Sequence, residues 1–277
     1  MVHHPAADAD PDADAEVAVR AASAGAAVAR ARYNTGSRRT ADRGLDFTTE
    51  ADVETERAIR DVLAELRPGD AIVGEELGSS GDGRRRWLVD PICGTLNFAA
   101  GMPLFAVNVA LDIDDVTTAA AVADPAAGDV FWTDGVAAWH RSAAIEAETG
   151  DDRRLQPASS SRLVTVNLES SFPDDSGTRL LSDEVFRARF SPRFLSTTLA
   201  LAWVATGQQA GYITGGDLRG SVHWTAGIAL CRAAGAVVTN LAGDELHTGD
   251  HGLVAAADAE THAFLLDRLH TADGEAA

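Results

Sequence analysis

The chain has 277 residues, with 42 acidic against 23 basic side chains and a formal net charge of −19, and its length fits one large domain or two close-packed layers of one architecture. This excess of carboxylates repels nucleic acid and anionic membranes, which excludes both as partners. Hydrophobic residues make up 45% of the chain, enough for a sizeable core, and no run reaches the roughly 18 apolar residues of a membrane span.

Cysteine content and the N-terminal segment predict a cytoplasmic protein. Cys93 and Cys231 are the only cysteines, and without partners at zinc-site or disulfide spacings they indicate a reducing compartment. Residues 1–11 are acidic and lack a signal-peptide pattern, so we expect a disordered tail. All 23 basic side chains are arginine. One hypothesis for this composition is a high-salt cytoplasm, in which salt screens the repulsion among carboxylates.

The N-terminal half, residues 12–145, has the pattern of helices packed on a largely antiparallel sheet. An Ala-rich helix is predicted from Asp14 to about Tyr33, followed by a loop over "NTGSRRTADRGLDF". A second helix is predicted to start near Thr48 with a capping threonine and nearby acids, and to end at Pro68-Gly69. Short strands follow in "AIVGEE", "RRWLVD", "LFAVNVALDI", "TTAAAVADP", "DVFWTD" and "GVAAWHR".

The C-terminal half, residues 161–272, alternates strands and helices after a polar connecting loop over residues 146–160. Strands are predicted in "RLVTVNLE", "AGYIT" and "GLVAAA". Helices are predicted in "SDEVFRARF", "TTLALAWVATG" and "ETHAFLLDRL", and "HWTAGIALCRAAGAVVT" predicts a helix that runs into a strand.

Carboxylates follow two predicted strands and open one predicted helix. Glu75 and Glu76 come after "AIV", Asp90 comes after "WLV", and Asp52 lies in the first helical turn. Each acid alone is better explained as a cap or a surface charge. Together, oxygen ligands from separate loops suit Mg²⁺, which binds through few carboxylates plus substrate phosphate.

The segment "GTLN" is the second part of this pattern. Gly94 and Thr95 follow a turn expected at Pro91 and are predicted to open a short helix. Free backbone N–H groups at such a position favour a phosphate, although a lone Gly-Thr pair is more often an ordinary helix start. Only the combination with the carboxylates favours a phosphate site.

Five segments, taken in order, resemble the inositol monophosphatase family of Mg²⁺-dependent, lithium-sensitive sugar phosphatases. They are "LDFTTEADVETERAI", "GEEL", "WLVDPICGTLNFAAGMPLFAVNVAL", "STTLALAWVATG" and "HWTAGIALCRAAGAVVTNLAG", and they span about two hundred residues. The resemblance implies an α+β fold, a layered α/β/α/β/α sandwich of the sugar-phosphatase type. It also implies a small phosphorylated sugar or polyol as ligand, and commonly a homodimer.

The resemblance assigns metal binding to Glu75, Asp90 and the backbone carbonyl of Ile92. Two positions depart from the family pattern: Cys93 replaces the second acid of the "DPIDGT" motif, and Thr225 replaces the acid of the "WD" pair. Both missing acids serve the second ion, which in the family binds the leaving-group oxygen. A thiol is soft and a threonine hydroxyl is a neutral ligand, whereas Mg²⁺ prefers hard anionic oxygen. We therefore expect one Mg²⁺ site and a degenerate second site.

The resemblance assigns catalysis and substrate binding to four further residues. Asp52 and Thr95 match the pair that orients the attacking water. The backbone amides of Gly94 and Thr95 match the phosphate-binding amides, and Ser196 matches a small polar residue on the sugar side.

Three other features of the sequence allow two interpretations each. Cys93 could be a nucleophile with a lowered pKa, but no arginine follows it to clamp a phosphate, so we prefer a small residue that fills the space of the lost acid. Cys231 is expected in the core. His223 either contacts ligand or, as we prefer, starts a helix. The run Arg84–Arg86 either attracts an anionic substrate or, as we prefer, pairs with surface acids.

Two functions follow from the substitutions at Cys93 and Thr225. The preferred one is an inositol monophosphatase-like protein with weak or no phosphatase activity, acting as a binding, regulatory or heteromeric partner, for example of an active paralogue. The alternative is an active Mg²⁺-dependent phosphomonoesterase for inositol monophosphate, fructose bisphosphate or a similar sugar phosphate. Losing charge stabilisation at the leaving oxygen costs several kcal/mol, on the order of a thousandfold or more in rate. Loss of two ligands of the same ion favours the first function.

Overall fold

The computed structural model describes residues 11–36, 39–43, 46–142, 152–168, 172, 175–248 and 251–271. The helices in these ranges are α1 (Pro11–Arg32), α2 (Glu50–Leu66), α3 (Thr95–Ala99), α4 (Ser176–Ser182), α5 (Glu184–Arg189), α6 (Leu199–Ala205), α7 (Thr225–Ala234) and α8 (Ala259–Thr271). Among the residues so described, none of the helices combines the length and apolarity needed to cross a bilayer.

The strands have the following bounds. They are β1 (Arg39–Arg43), β2 (Asp46–Thr49), β3 (Ala71–Gly74), β4 (Gly78–Ser80), β5 (Arg85–Cys93), β6 (Ala106–Ile113), β7 (Val116–Asp124), β8 (Asp129–Thr133), β9 (Ala138–Ser142), β10 (Arg153–Arg154), β11 (Leu163–Asn167), β12 (Ser191–Phe194), β13 (Gly211–Thr214), β14 (Val237–Thr239) and β15 (Leu253–Ala256).

The larger sheet carries α1 and α2 on one face. Within the described ranges its strand order is β10-β9-β8-β7-β6-β5-β3-β4, with β3 and β5 parallel and the other neighbours antiparallel. The Ala-rich α1 buries small residues such as Ala18 and Ala22, and α2 adds Ile59 and Leu63. Small side chains let α1 approach the sheet closely, so these residues fill the first core layer together with Trp87.

Helices α6 and α7 form the middle layer between the two sheets. Leu199, Leu201 and Leu230 are fully buried there against the other face of the larger sheet. Cys231 is also fully buried, and its thiol contacts the Leu201 carbonyl at 3.1 Å, which confirms the predicted core position.

The smaller sheet completes the layers. Its described strands run in the order β12-β11-β13-β15-β14, and α4, α5 and α8 cover its outer face through buried residues such as Leu180, Phe186 and Leu265. Helix, sheet, helix, sheet and helix therefore follow one another across the described part of the protein. This order of layers confirms the predicted α+β layered sandwich.

Local differences from the predictions occur where polar residues pair. The expected loop over "NTGSRRTADRGLDF" contains the antiparallel hairpin β1–β2, and β12 adds an edge strand parallel to β11 that was not predicted. Residues 1–10 and 143–151 lie outside the described residues, and they include nearly all of the expected tail and residues 146–151 of the expected connecting loop. The rest of that loop, residues 152–160, is described and contains the short strand β10. The division of the chain at residues 146–160 stays a prediction.

Candidate active site

A cavity of about 570 Å³ opens where the end of β5, the start of α3 and the segment before α7 meet. Its lining includes Phe47, Glu75, Cys93, Thr95, Ser196 and His223. Such a volume suits a small polar molecule. The cavity collects side chains from both halves of the chain, and most of the predicted site residues line it or lie directly behind it.

Strand β5 crosses the site on a bulge. Asp90 pairs with Asn108 of β6 and Cys93 pairs with Ala106, with a shift of register between the two pairs. Pro91 cannot donate a ladder hydrogen bond, and proline in sheets is found at such irregularities. The prediction that this strand ends at Asp90 is therefore wrong, because the strand continues through the proline to Cys93 and the bulge re-aims its side chains.

Asp90 is a fully buried carboxylate with incomplete partners. Its Oδ2 lies 2.8 Å from His223 Nδ1 and 3.4 Å from Asn108 Nδ2, whereas Oδ1 has no hydrogen-bond partner among the described residues. A buried charge without full compensation is costly. This environment favours a bound cation at Asp90.

Glu75 lies beside Asp90 in the same confined space. Burial raises the pKa of Glu75 to about 10, and the negative charge of Asp90 adds to this effect. Two carboxylates that face each other without a cation cannot both ionise easily, and a cation between them reverses that penalty. With the buried Ile92 supplying a backbone carbonyl, the donors are all oxygen atoms, which is the set that Mg²⁺ prefers. These three residues fit the first predicted metal site.

The loop that carries Glu75 is held by Glu56 of α2. The Glu56 carboxylate accepts hydrogen bonds from the backbone N–H of Glu76 at 2.7 Å and of Leu77 at 3.2 Å, and it pairs with Arg60 at 2.7 Å. Sequence reasoning missed Glu56. The available signal was an acid on the face of α2 that otherwise buries Ile59.

Asp52 and Thr95 come together as predicted from the sequence. Thr95 Oγ1 lies 3.2 Å from Asp52 Oδ1 and 3.1 Å from the Ile92 carbonyl oxygen. Asp52 is fixed because Thr49, the N-cap of α2, donates both its N–H and its hydroxyl to Asp52 Oδ2 at 2.9 and 2.5 Å. Burial raises the pKa of Asp52. A hydroxyl that donates its proton to this acid leaves its oxygen free to accept one from water.

Gly94 and Asn97 fix the turn from β5 into α3. Gly94 has φ = +104°, a conformation that favours glycine, and an added Cβ would lie 2.8 Å from the Leu104 carbonyl oxygen. Asn97 Nδ2 donates to the carbonyls of Leu104 and Ser196, at 2.8 and 2.7 Å. This amide therefore ties the turn to the segment that brings Ser196 to the cavity.

Cys93 and Thr225, the two positions that depart from the family pattern, have different surroundings. Burial, then the charge of Asp90, raises the pKa of the Cys93 thiol to about 11, so the thiol is protonated near neutral pH and the nucleophile interpretation loses its support. Thr225 is the first residue of α7, and its hydroxyl donates to the Ser221 carbonyl at 2.7 Å. Neither side chain offers an anionic oxygen.

His223 contacts Asp90, and the preferred prediction that it starts a helix is wrong. The N-cap of α7 is Trp224, while His223 Nδ1 lies 2.8 Å from Asp90 Oδ2 and Nε2 lies 3.9 Å from Glu75 Oε1. Burial alone would lower the pKa of His223, but the charge and hydrogen bond of Asp90 raise it to about 12. The sequence signal was a histidine two residues before the lost acid at position 225.

Each arginine of the run Arg84–Arg86 forms an ion pair with one or two acids. Arg84 pairs with Asp114 at 2.6 Å, and Arg85 pairs with Asp14 and Asp70, both at 2.9 Å. Arg86 likewise pairs with Asp115. The preferred interpretation, pairing with surface acids, is confirmed for Arg84 and Arg86. Arg85 instead pairs with acids whose side chains are only 2% and 10% exposed.

Comparison with known proteins places these features in a wider context. A model of the inositol monophosphatase family matches residues 10–273. The inositol-1-monophosphatase of Caulobacter vibrioides is 31% identical over 247 residues, covering 82% of this chain and 88% of that protein. The inositol-1-monophosphatase of Mycobacterium leprae is 46% identical over 101 residues. That match covers 34% of this chain and only 35% of the relative's own length.

Solved structures agree with the sequence matches. The extragenic suppressor protein SuhB of Bartonella henselae superposes with a TM-score of 0.78 at 25% identity, covering 92% of this chain and 97% of that one. Mycobacterium tuberculosis SuhB gives a TM-score of 0.73 at 28% identity, covering 95% and 99%.

Proposed function

The chain belongs to the inositol monophosphatase family. From this premise we propose that its cavity binds a small phosphorylated sugar or polyol. We further propose that its Mg²⁺-dependent phosphomonoesterase activity is weak or absent. The family acts on small phosphorylated sugars such as inositol phosphate. The reduced activity is inferred from the loss of acids at Cys93 and Thr225, the two positions that serve the second ion.

The retained residues would perform the first part of a hydrolytic reaction. Glu75, Asp90 and the Ile92 carbonyl would hold one Mg²⁺, which when bound polarises the phosphoryl group and acidifies a water molecule. Asp52 accepts a hydrogen bond from the Thr95 hydroxyl at 3.2 Å. The threonine oxygen would therefore orient the attacking water and accept its proton, while the proton of the hydroxyl passes to the Asp52 carboxylate.

Substrate binding would use the remaining predicted residues. The backbone amides of Gly94 and Thr95 would hold the phosphate, and Ser196, which also lines the cavity, would face the sugar. The cavity volume of about 570 Å³ supports a ligand of this size.

The last part of the reaction lacks its charge stabilisation. A second Mg²⁺ would find the Cys93 thiol protonated, the Thr225 hydroxyl engaged with Ser221 and Asp90 Oδ2 paired with His223. These donors do not fit a second Mg²⁺, so no step is assigned to one. The leaving oxygen then departs without a metal ion, at a cost of several kcal/mol. This contrast between an intact oxygen site and a lost second site is the observation that carries the proposal.

A role as a binding, regulatory or heteromeric partner follows from weak catalysis. The protein would bind sugar phosphate without rapid turnover, either as a homodimer or beside an active paralogue. Size-exclusion chromatography with light scattering, with and without sugar phosphate, measures the assembly directly.

The alternative is an efficient one-metal enzyme, and one observation favours it. The Asp52–Thr95–Ile92 contacts are all formed, which is more than binding alone requires. Efficient turnover in Mg²⁺ would identify this case.

The deciding experiment assays the purified protein on inositol phosphate, fructose bisphosphate and an aryl phosphate, with Mg²⁺ in high salt. The double reversion Cys93→Asp with Thr225→Asp is expected to raise kcat/KM by roughly a thousandfold, because it returns two carboxylates to the second ion. Asp90→Asn is the inactive control for both backgrounds. Natural protein that turns over as fast as the reversion, and loses that activity with Asp90→Asn, overturns the proposal in favour of the one-metal enzyme.

A further inference from the structure

Three chemically different metal ligands converge on one side of the cavity. One ligand atom each from Asp90, Cys93 and His223 lies within 4.8 Å of the others. Asp90 and Cys93 flank the bulge of β5, and His223 comes from the segment before α7. The shift of register places the side chains of Asp90 and Cys93 on the same face of the strand, because three steps along β5 match only two along β6 between their ladder pairs.

The chemistry of this trio differs from that of the neighbouring oxygen donors. A carboxylate, a thiolate and an imidazole form a common ligand set for Zn²⁺, whereas Mg²⁺ rarely accepts sulfur or nitrogen. Softer first-row dications follow the same preference. The residues that fail to fit a second Mg²⁺ therefore match a different ion.

The distances between the ligand atoms are close to those around a tetrahedrally coordinated ion. Bond lengths of about 2.0 Å to nitrogen or oxygen and about 2.3 Å to sulfur place tetrahedral ligands roughly 3.3–3.7 Å apart. His223 Nδ1 and Asp90 Oδ2 are already 2.8 Å apart, so side-chain shifts of about 1 Å suffice. His223 and Glu75 both line the cavity, which leaves the fourth position accessible to water or ligand.

Asn108 supports the trio from behind. Its buried side-chain nitrogen lies 3.4 Å from Asp90 Oδ2, 3.0 Å from Thr198 Oγ1 and 3.3 Å from the His223 carbonyl. The Cys93 thiol in turn lies close to Thr198 and His223. Polar groups behind a metal site orient its ligands in this way. One oxygen of Asp90 also lacks a hydrogen-bond partner among the described residues, which leaves this buried carboxylate able to bind an ion.

We propose that Asp90, Cys93 and His223 form a binding site for Zn²⁺ or a similar thiophilic dication, beside the Mg²⁺ position, and that Cys93 selects this ion. The proposal does not rest on phosphatase activity, because metal binding is measured without substrate. Binding displaces the protons of the thiol and the imidazole. The competing arrangement is a protonated His223 that pairs with Asp90 and takes up no ion.

The test uses the metal-free full chain titrated with Co²⁺, whose bond to a thiolate gives a near-ultraviolet charge-transfer absorption. We expect one equivalent of Co²⁺ to produce this band and Zn²⁺ to abolish it by displacement. Cys93→Ser and Cys93→Asp should both remove the band. His223→Gln should weaken Zn²⁺ binding at least about tenfold, the lower bound for disturbing a metal site. Cys231→Ala is the matched control, and its band should persist.

Three results would overturn the proposal. The first is folded natural protein, checked by circular dichroism, that shows no band with excess Co²⁺, which is the behaviour of the protonated His223 pair. The second is a band that persists in Cys93→Ser. The third applies if that variant does not fold, and it comes from X-ray absorption of the Zn²⁺-loaded natural protein. One sulfur neighbour at about 2.3 Å supports the site, and its absence refutes it.

Discussion

Glu56 offers a quantitative test of how the fold positions Glu75. Its carboxylate is fully buried and accepts hydrogen bonds from the Glu76 and Leu77 amides at 2.7 and 3.2 Å. Hydrogen bonds to a charged group contribute about 1.5–3 kcal/mol each. Because these amides are only partly buried, we take the lower end, and Glu56→Ala should cost about 3 kcal/mol. Glu56→Gln keeps a neutral acceptor and should cost about half as much.

The assay is equilibrium urea unfolding followed by circular dichroism at constant salt. Glu54→Gln is the matched control, because Glu54 lies on the same helix, is 37% exposed and pairs with Arg32 at 2.7 Å. An exposed pair contributes little, so the control should change the free energy of unfolding by less than about 1 kcal/mol. The reasoning is refuted if Glu56→Ala destabilises no more than the control. A misplaced Glu75 should also weaken Mn²⁺ binding in Glu56→Gln but not in Glu54→Gln.

Three further predictions concern backbone conformation, pH and salt. Gly94→Ala should lower the free energy of unfolding by about 1–3 kcal/mol, because the residue has φ = +104° and its Cβ would meet the Leu104 carbonyl. Gly69→Ala is the control and should have no such effect, because the space around Gly69 is open. Similar melting temperatures of the two variants would contradict this prediction. Burial lowers the pKa of His262 in the folded protein. The stability that neutral His262 provides is therefore fully present above its pKa in the unfolded chain, about 6.5, and is lost as the pH falls from there toward the folded pKa. His262→Gln should therefore flatten the fall in unfolding free energy between about pH 7.5 and 5.5, and an unchanged slope would count against it. Molar KCl should raise the melting temperature by screening the net charge of −19, and an equal or lower value would exclude adaptation to salt.

Local sequence patterns predicted most of the fold and part of the candidate site. The capping box joins Thr49 and Asp52, which are three positions apart, so the start of α2 could be predicted from local spacing alone. The alternation in "LFAVNVALDI" similarly predicted β6. The hairpin β1–β2 was missed because its arginines and acids show no such alternation. Pro91 suggested a turn, whereas the bulge keeps it inside the strand.

Contacts between distant segments could not be read from the sequence. Glu56 reaches the Glu76 amide 20 residues along the chain, and no local pattern encodes that distance. His223 depends on tertiary packing to reach Asp90, so from the sequence a helix start was preferred over contact with a ligand. The departures at Cys93 and Thr225 were visible, but the histidine that replaces them beside Asp90 required the three-dimensional arrangement.

The contact of Asp90 with His223 joins positions 133 residues apart. An ion shared by these side chains would act as a removable cross-link between a central strand of the larger sheet and the entrance of α7. Because such a link exists only in the folded chain, free metal at a hundred times its dissociation constant would add about 2.7 kcal/mol to stability. Preparations that differ in bound metal would then differ in their resistance to unfolding and to proteases, whether or not the protein hydrolyses a substrate.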